Sequence, residues 1–403
     1  MKVTVNVVQQ IQAFNAGRDP ERLRVKYQKM RSDPFGFLRG TCHLFYQRLS
    51  AAKSLKPSPL VWLCGDLHLE NFGSYKGDNR LAYFDLNDFD EAALAPASWE
   101  LVRMLTSLLM AGDSLSISPS EASTLCSVFL DDYASSLSLG KAFWIECETA
   151  QGVIRELLEG LRDRQRIEFI AARTVMKGNC RVLKLDGKKA LAVSDAQRMA
   201  VTDFMNRFAK TQTRPEFFKV IDVARRIAGT GSLGVERYAI LVDGKGAPGG
   251  HYMVDLKASL PSCVAPHFAA VQPKWRSEAH RVVEVQRRLQ AVSVALLQPV
   301  RFEGRAYVIR ELQPTEDRIT LAGTSRTMGE LKVAVGQMGR LLAWAQLRSA
   351  GRQGSAIADE LIAFGLRKKW KEKLLLASCA CSVQVKKDSA TFNKAYDGGA
   401  FGA

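Results

Sequence analysis

The sequence predicts an α+β fold, long enough for two lobes or two domains. Three observations carry this. The chain has 403 residues, too many for one small domain and enough for two lobes. Hydrophobic residues make up 47% and charged residues 24%, so a large packed core is expected rather than disorder. Short apolar strands alternate with longer stretches of helical period, without an internal repeat.

The elements follow in order. Residues 9–54 read as helical with a break at Ser32-Asp33-Pro34. Leu60 to Cys64 is an apolar strand, and Arg80 to Leu86 a second one. Helices are predicted from about Trp99 to Ala111 and from Ser120 to Leu137. Residues 181–193 read as a hairpin turning at Asp186-Gly187, and a helix follows from Ser194 to Ala209. The pattern changes near residue 221. Strands 237–242 and 252–257 are joined by a Gly-rich turn at 243–250. Val282, Val285, Leu289, Val292 and Leu296 place a helix over 279–297, residues 302–312 form a hairpin, and a helix covers 328–350. Residues 367–373 read as a solvated helix end and the last twenty residues as loose.

The net charge of +16 argues for an anionic partner: a nucleotide, a phosphorylated substrate, nucleic acid or an acidic surface. No apolar run is long enough to cross a membrane, and Met1 to Asn6 lack a secretory apolar segment. The eight cysteines form no C-x-x-C pair and read as buried free thiols; with five histidines, a His/Cys metal site is not expected. A cytoplasmic protein with no membrane partner is the expectation. Helix-turn-helix, RRM and zinc signatures are lacking, so no specific nucleic-acid partner is expected either.

Two constellations carry chemistry. The first is Gly65-Asp66-Leu67-His68-Leu69-Glu70-Asn71, directly after a strand, followed by Asn87-Asp88-Phe89-Asp90-Glu91. Phosphoryl transfer from a nucleotide uses such a set: one carboxylate orients or deprotonates a hydroxyl, while an Asn and a second carboxylate hold Mg²⁺. An N-capping Asp with acidic turns would look similar. The second is Gly229-Thr230-Gly231-Ser232-Leu233-Gly234. Alone it reads equally well as a glycine-rich turn. A strand-like segment follows rather than a helix, which separates it from a dinucleotide-binding loop.

The first segment resembles the His-Gly-Asp-x-His-x-x-Asn loop of aminoglycoside- and choline-kinase-type phosphotransferases. Cys64 stands where those have His, and Asn71 and Asp88 stand further apart. The resemblance implies Asp66 as the catalytic carboxylate, Asn71 and Asp88 as metal ligands, Asp90 as a helper, and Asp85 as a competitor for Asp88. The second resembles a protein-kinase glycine loop. Gly229, Gly231, Ser232 and Gly234 would then cover nucleotide phosphates, Lys257 would hold them, Glu284 (or Glu278) would hold Lys257, and backbone near Glu311-Leu312-Gln313 would pair with adenine. The order is displaced, because the glycine loop follows the catalytic loop, yet the cyclic order is kept. The resemblance implies a circularly permuted, protein-kinase-like bilobal fold using ATP and Mg²⁺, with a mostly helical large lobe and a small lobe of β-sheet and helix: 1–220 for the large lobe, 221–315 for the small lobe, and 316–403 for helices returning to the large lobe.

The segments Asp33 to Gly40, Cys64 to Gly73, Asp85 to Glu91, Gly231 to Gly234, Asp255 to Ala258 and Arg310 to Leu312 are similar to the DUF2252 family of uncharacterised bacterial proteins. A His expected near Gln346 is missing. Arg39 is a candidate phosphate cation, or an Arg bridging a turn. Residues 152–189 carry ten Lys or Arg against five Asp or Glu. This suggests an acidic or phosphorylated acceptor, although such runs are often solvated helix faces. The expected activity is phosphoryl transfer to a hydroxyl of a small molecule or protein. The alternatives are AMP transfer on the same fold and a non-catalytic nucleotide-binding pseudokinase.

Overall fold

The computed structural model describes residues 5–52, 55, 57–247, 249–321 and 326–402. The first four residues, the end of the 9–54 helical segment and one residue of the 243–250 turn lie outside it. With 50% helix and 17% strand, the chain is mixed α and β, as expected.

The largest hydrophobic core draws on both ends of the chain, from Val7 to Leu158 and from Val264 to Phe392. Its centre is the helix Ala97–Met110, in which nearly every residue is buried, Glu100 and Arg103 included. Around it lie Pro119–Leu139, Met328–Arg348 and Trp370–Asp397. The first of these starts where Ser118 and Glu121 form a reciprocal cap with Pro119 behind it, and stops at Gly140 in the left-handed region. Thr327 and Glu330 cap Met328–Arg348 in the same way.

A second assembly is a six-stranded antiparallel sheet. Its spatial order is Gln298–Phe302, Arg305–Glu311, Tyr252–Ala258, Arg237–Val242, Val220–Arg226 and Ala190–Leu191. Alternation along the strands divides it into two faces. Tyr238, Ile240, Val254 and Leu256 pack against Phe204 and Phe208 of the helix Asp195–Ala209. Arg237, Asp255 and Lys257 fall on the opposite face, in register across neighbouring strands. The sheet thus recruits a strand and a helix from before residue 221, which itself lies inside a strand.

Three expectations are corrected. Residues 181–193 do not pair with each other: Cys180–Leu183 pairs back on Thr174–Lys177, and Ala190–Leu191 joins the large sheet. Asp186 still makes the turn, its carboxylate accepting from the N–H groups of Lys188, Lys189 and Ala190. The helix predicted over 279–297 stops at Leu289. Gln290 turns extended there and donates to the Leu86 carbonyl, and the Ala291 N–H donates to Asp85. The C-terminal residues are not loose but helical to Asp397, with Phe392 buried and Asp388 and Asp397 paired to Arg48 and Arg31.

Among the described residues no helix is long and apolar enough to cross a membrane. Cys42, Cys64, Cys126 and Cys147 are buried free thiols, whereas Cys180 and Cys379 are exposed.

Candidate functional site

Two short pairings bring the acidic segments together. Leu60–Leu63 runs antiparallel to Ala93–Pro96, and Phe72–Lys76 runs antiparallel to Ala82–Leu86. The loops 64–71 and 87–92 leave these strands side by side. Gly65 is required at the crossing: its φ is +93°, and a Cβ there would collide with the Glu91 carbonyl. The Asn71 amide ties the loops, its Nδ2 donating to the carbonyl oxygens of Asp66 (3.0 Å) and Asp88 (3.4 Å). Two acceptors on that side fix the amide orientation and leave Oδ1 as its acceptor atom. His68 is buried and accepts from the Glu70 N–H through Nδ1; burial, then Arg39, holds it neutral.

The glycine loop connects Val220–Arg226 to Arg237–Val242, two neighbouring antiparallel strands. It therefore caps a β-hairpin, and it folds over Asp66. A Cβ built on Gly231 would lie 3.7 Å from Asp66 Oδ2 and 3.2 Å from the Arg39 carbonyl. Lys26 Nζ and Arg18 Nη1 both donate to the Gly231 carbonyl, at 3.0 and 2.9 Å. Between loop and acids lies a cleft of about 350 Å³, lined by Asp66, Asp88, Asp90, Gly229, Ser232 and Arg318 among others. Arg39 also lines it and pairs with Glu70 at 2.5 Å.

Lys257 reaches this acidic group: its Nζ is 4.0 Å from Asp88 Oδ1 and hydrogen-bonds Asp90 Oδ2. Burial opposes the charge on Asp88, but Lys257 and Arg318 outweigh it and hold its carboxyl below the usual range. Glu284 is not the partner of Lys257. It stands on the solvent face of Glu278–Leu289, 42% exposed, paired with Arg287. Glu278 pairs with Arg281. The helix turns Val282 and Gln286 towards Lys257 instead. Its 3.6-residue period leaves the two glutamates on other faces.

Glu311 and Leu312 also lie apart from the cleft. The Glu311 side chain pairs with Arg80, and the backbone N–H groups of Glu311 and Leu312 already donate to Ala295 and Met253. The backbone edge expected to meet adenine is thus occupied at these two donors. Asp85 is no rival to Asp88, since it is buried and bound to Leu86, Ala291 and Arg348. Arg164 and Arg166 of the basic stretch line a different cavity.

Sequence reasoning missed three charged groups. Arg103 is wholly buried and holds Asp66 Oδ1 through Nε (3.1 Å) and Nη2 (2.6 Å), while Nη2 also donates to the Leu38 carbonyl. Arg318 lies beside Asp88. Asp255 is clamped by Arg237, Arg226 and Arg310. An Arg on a mostly apolar helix was the one available signal for Arg103, because unpaired burial would be prohibitive.

Glu100, buried behind the loop, accepts from the Gly65 N–H at 3.1 Å. Burial pushes its carboxyl up from 4.5 to about 7. The folded state then binds a proton that the unfolded chain has released, so stability falls as pH rises from about 4.5 to about 7. Glu100→Gln keeps an oxygen for Gly65. It is expected to match wild type near pH 4.5 and to exceed it at pH 8, by up to about 3 kcal/mol. Melting curves at both pH values check this, and an offset that does not change with pH would refute it.

Among the described residues, no three His, Cys, Asp or Glu side chains converge into a metal cluster. Mg²⁺ does not need one, because it keeps several waters and takes one or two carboxylates plus substrate phosphates. Asp88 with the uncommitted Asn71 Oδ1 fits that donor set.

The model of the family described as "Uncharacterized protein conserved in bacteria (DUF2252)" matches residues 18–395. The chain belongs to this family. No curated protein and no solved structure matches it.

Proposed function

We propose that this chain is an ATP- and Mg²⁺-dependent phosphotransferase with a circularly permuted, kinase-like arrangement, acting on a hydroxyl of a small molecule or protein. One observation carries the reading: a glycine loop, Asp66 and Asp88 share one cleft, with Lys257 at 4.0 Å from Asp88. These groups lie far apart in sequence and resemble nucleotide-binding and catalytic motifs in kind. The permuted order has its own support. Past the helix Met328–Arg348, the Ala356 N–H donates to the Leu60 carbonyl at 2.7 Å, and Trp62 Nε1 donates to the Arg352 carbonyl. The end of that helix therefore leads in space to the strand before the catalytic loop.

Each side chain has a task. Arg103 grips Asp66 Oδ1, which leaves Oδ2 towards the cleft to accept the hydroxyl proton as the γ-phosphoryl passes to the acceptor oxygen and ADP leaves. Lys257, now on Asp90, would exchange that carboxylate for nucleotide phosphates. Asp88 and Asn71 would hold Mg²⁺, which neutralises charge on the phosphates when bound. Glu284 has no part.

Mg-ATP is expected to raise the melting temperature of wild type by a few degrees at saturation. Lys257→Ala and Asp88→Ala should lose that shift, and Glu284→Ala should keep it. Absence of a shift at millimolar Mg-ATP, or full retention in Lys257→Ala, sinks the proposal.

A second reading is AMP transfer with the nucleotide reversed. Arg226, Arg237 and Arg310 crowd around the single Asp255 on the face that bears Lys257. Their surplus charge would favour phosphates on that side. The mass added to the acceptor separates the two reactions.

A further inference from the structure

A second cavity, of about 420 Å³, shares no lining residue with the Asp66 cleft. Its walls come from the strand Phe72–Lys76, the hairpin tip at Arg80, the segment 161–169, the turn at Lys245, and residues 311–317. Five cations line it: Lys76, Arg80, Arg164, Arg166 and Lys245. Only Glu311 and Asp317 oppose them, and these are taken by Arg80 at 2.8 Å and Arg164 at 2.5 Å. Lys76, Arg166 and Lys245 make no ion pair among the described residues.

Three further features point to a ligand. The Arg166 guanidinium carbon lies over the Tyr252 ring, 4.0 Å from its centre, with Arg80 approaching the same ring at 5.6 Å. An Arg held over a ring, with no carboxylate partner, has N–H groups left for an anion. Both polar atoms of the Gln313 side chain, which lines the cavity, are buried without a hydrogen-bond partner. Such atoms carry an uncompensated desolvation cost unless something fills the site. Burial, and then Arg164 and Arg166, also lower the Lys76 ammonium from its ordinary value, so the cations crowd one another.

We propose that this cavity is a second ligand site, taking a small molecule that bears a phosphoryl group, with Arg166, Lys76 and Lys245 on the phosphate and the Gln313 amide on a neighbouring donor–acceptor edge. The concave volume suits a small molecule. The excess charge of residues 152–189 thereby serves this site in part, rather than the transfer cleft. The inference stands apart from the proposed transfer reaction. Asp317 lines this cavity and the next residue, Arg318, lines the Asp66 cleft.

The test is calorimetric titration of the full chain with inorganic pyrophosphate at fixed ionic strength. Lys257→Ala, which disturbs only the first cleft, should retain one bound pyrophosphate. Adding Arg166→Ala and Lys245→Ala should weaken that binding more than tenfold. Both side chains are exposed at the cavity mouth, so the variant should melt like its parent without ligand. Gln313→Ala gives a second, uncharged probe if it does not. Three results would overturn the proposal: no pyrophosphate left on Lys257→Ala, equal binding of sulfate and pyrophosphate, or a single-stranded RNA that binds more tightly through the same residues.

Discussion

Asp255→Ala is expected to destabilise the protein by at least about 3–5 kcal/mol, the cost of stripping one partner from a buried ion pair. The carboxylate is wholly buried in the middle of the six-stranded sheet. It accepts from Arg237 Nε at 2.7 Å and Nη2 at 2.6 Å, with Arg226 Nη1 at 3.0 Å and Arg310 Nε at 3.5 Å. Burial works against its charge, but Arg226 and Arg237 outweigh that and hold the carboxyl far below its ordinary range. Without it, three guanidiniums on one sheet face repel one another with no counter-ion. Urea denaturation at pH 7 measures the loss, and a change under 1 kcal/mol would refute the clamp. The pH dependence has a definite sign. A depressed folded pKa contributes stability above the unfolded value, about 3.9, and loses it as pH falls below. The gap between wild type and Asp255→Ala should therefore narrow below about pH 4.

Asp66→Asn is expected to lower transfer turnover roughly 10²–10⁴-fold while Mg-ATP binding persists. The amide keeps an oxygen for Arg103 but cannot take a hydroxyl proton. Arg103→Met tests the other half of the arrangement. Asp66 would lose the grip that orients it, and the fold would lose the Arg103 bond to the Leu38 carbonyl, so turnover and stability should fall together. Asp66→Asn should also lower the melting temperature, because it removes the counter-charge of the buried Arg103; Mg-ATP binding that persists in it separates lost catalysis from lost fold. If wild type and Asp66→Asn transfer equally poorly and both bind Mg-ATP, the pseudokinase reading replaces the enzymatic one.

Local segments were legible because their signals are local. Gly65 to Asn71 between two strands, Asp88 on the next loop, and the glycine loop capping a hairpin all follow from strand patterning and turn residues. Lys257 sits on the expected strand for the same reason. The Glu284 assignment failed because sequence spacing gives a helix but not its rotation. Which face meets the sheet depends on what Val282, Val283 and Gln286 bury. The long helix read to residue 297 failed at Leu289 because the Leu86 carbonyl and the Asp85 carboxylate, more than two hundred residues away, captured Gln290 and Ala291.

By itself the sequence determined the mixed α and β class, the family, and the presence of a glycine loop, a strand lysine, and acids after strands. These rest on backbone conformation and side-chain period, which neighbours along the chain dictate. Only the tertiary structure decided the partners. It put Arg103 on Asp66, Asp90 on Lys257, and three arginines on Asp255, and it gathered the cations of 76–80, 164–166 and 245 around one cavity. A buried charge must be matched by whatever charge the packed fold brings within reach, and that is a property of proximity in space that spacing along the chain does not encode.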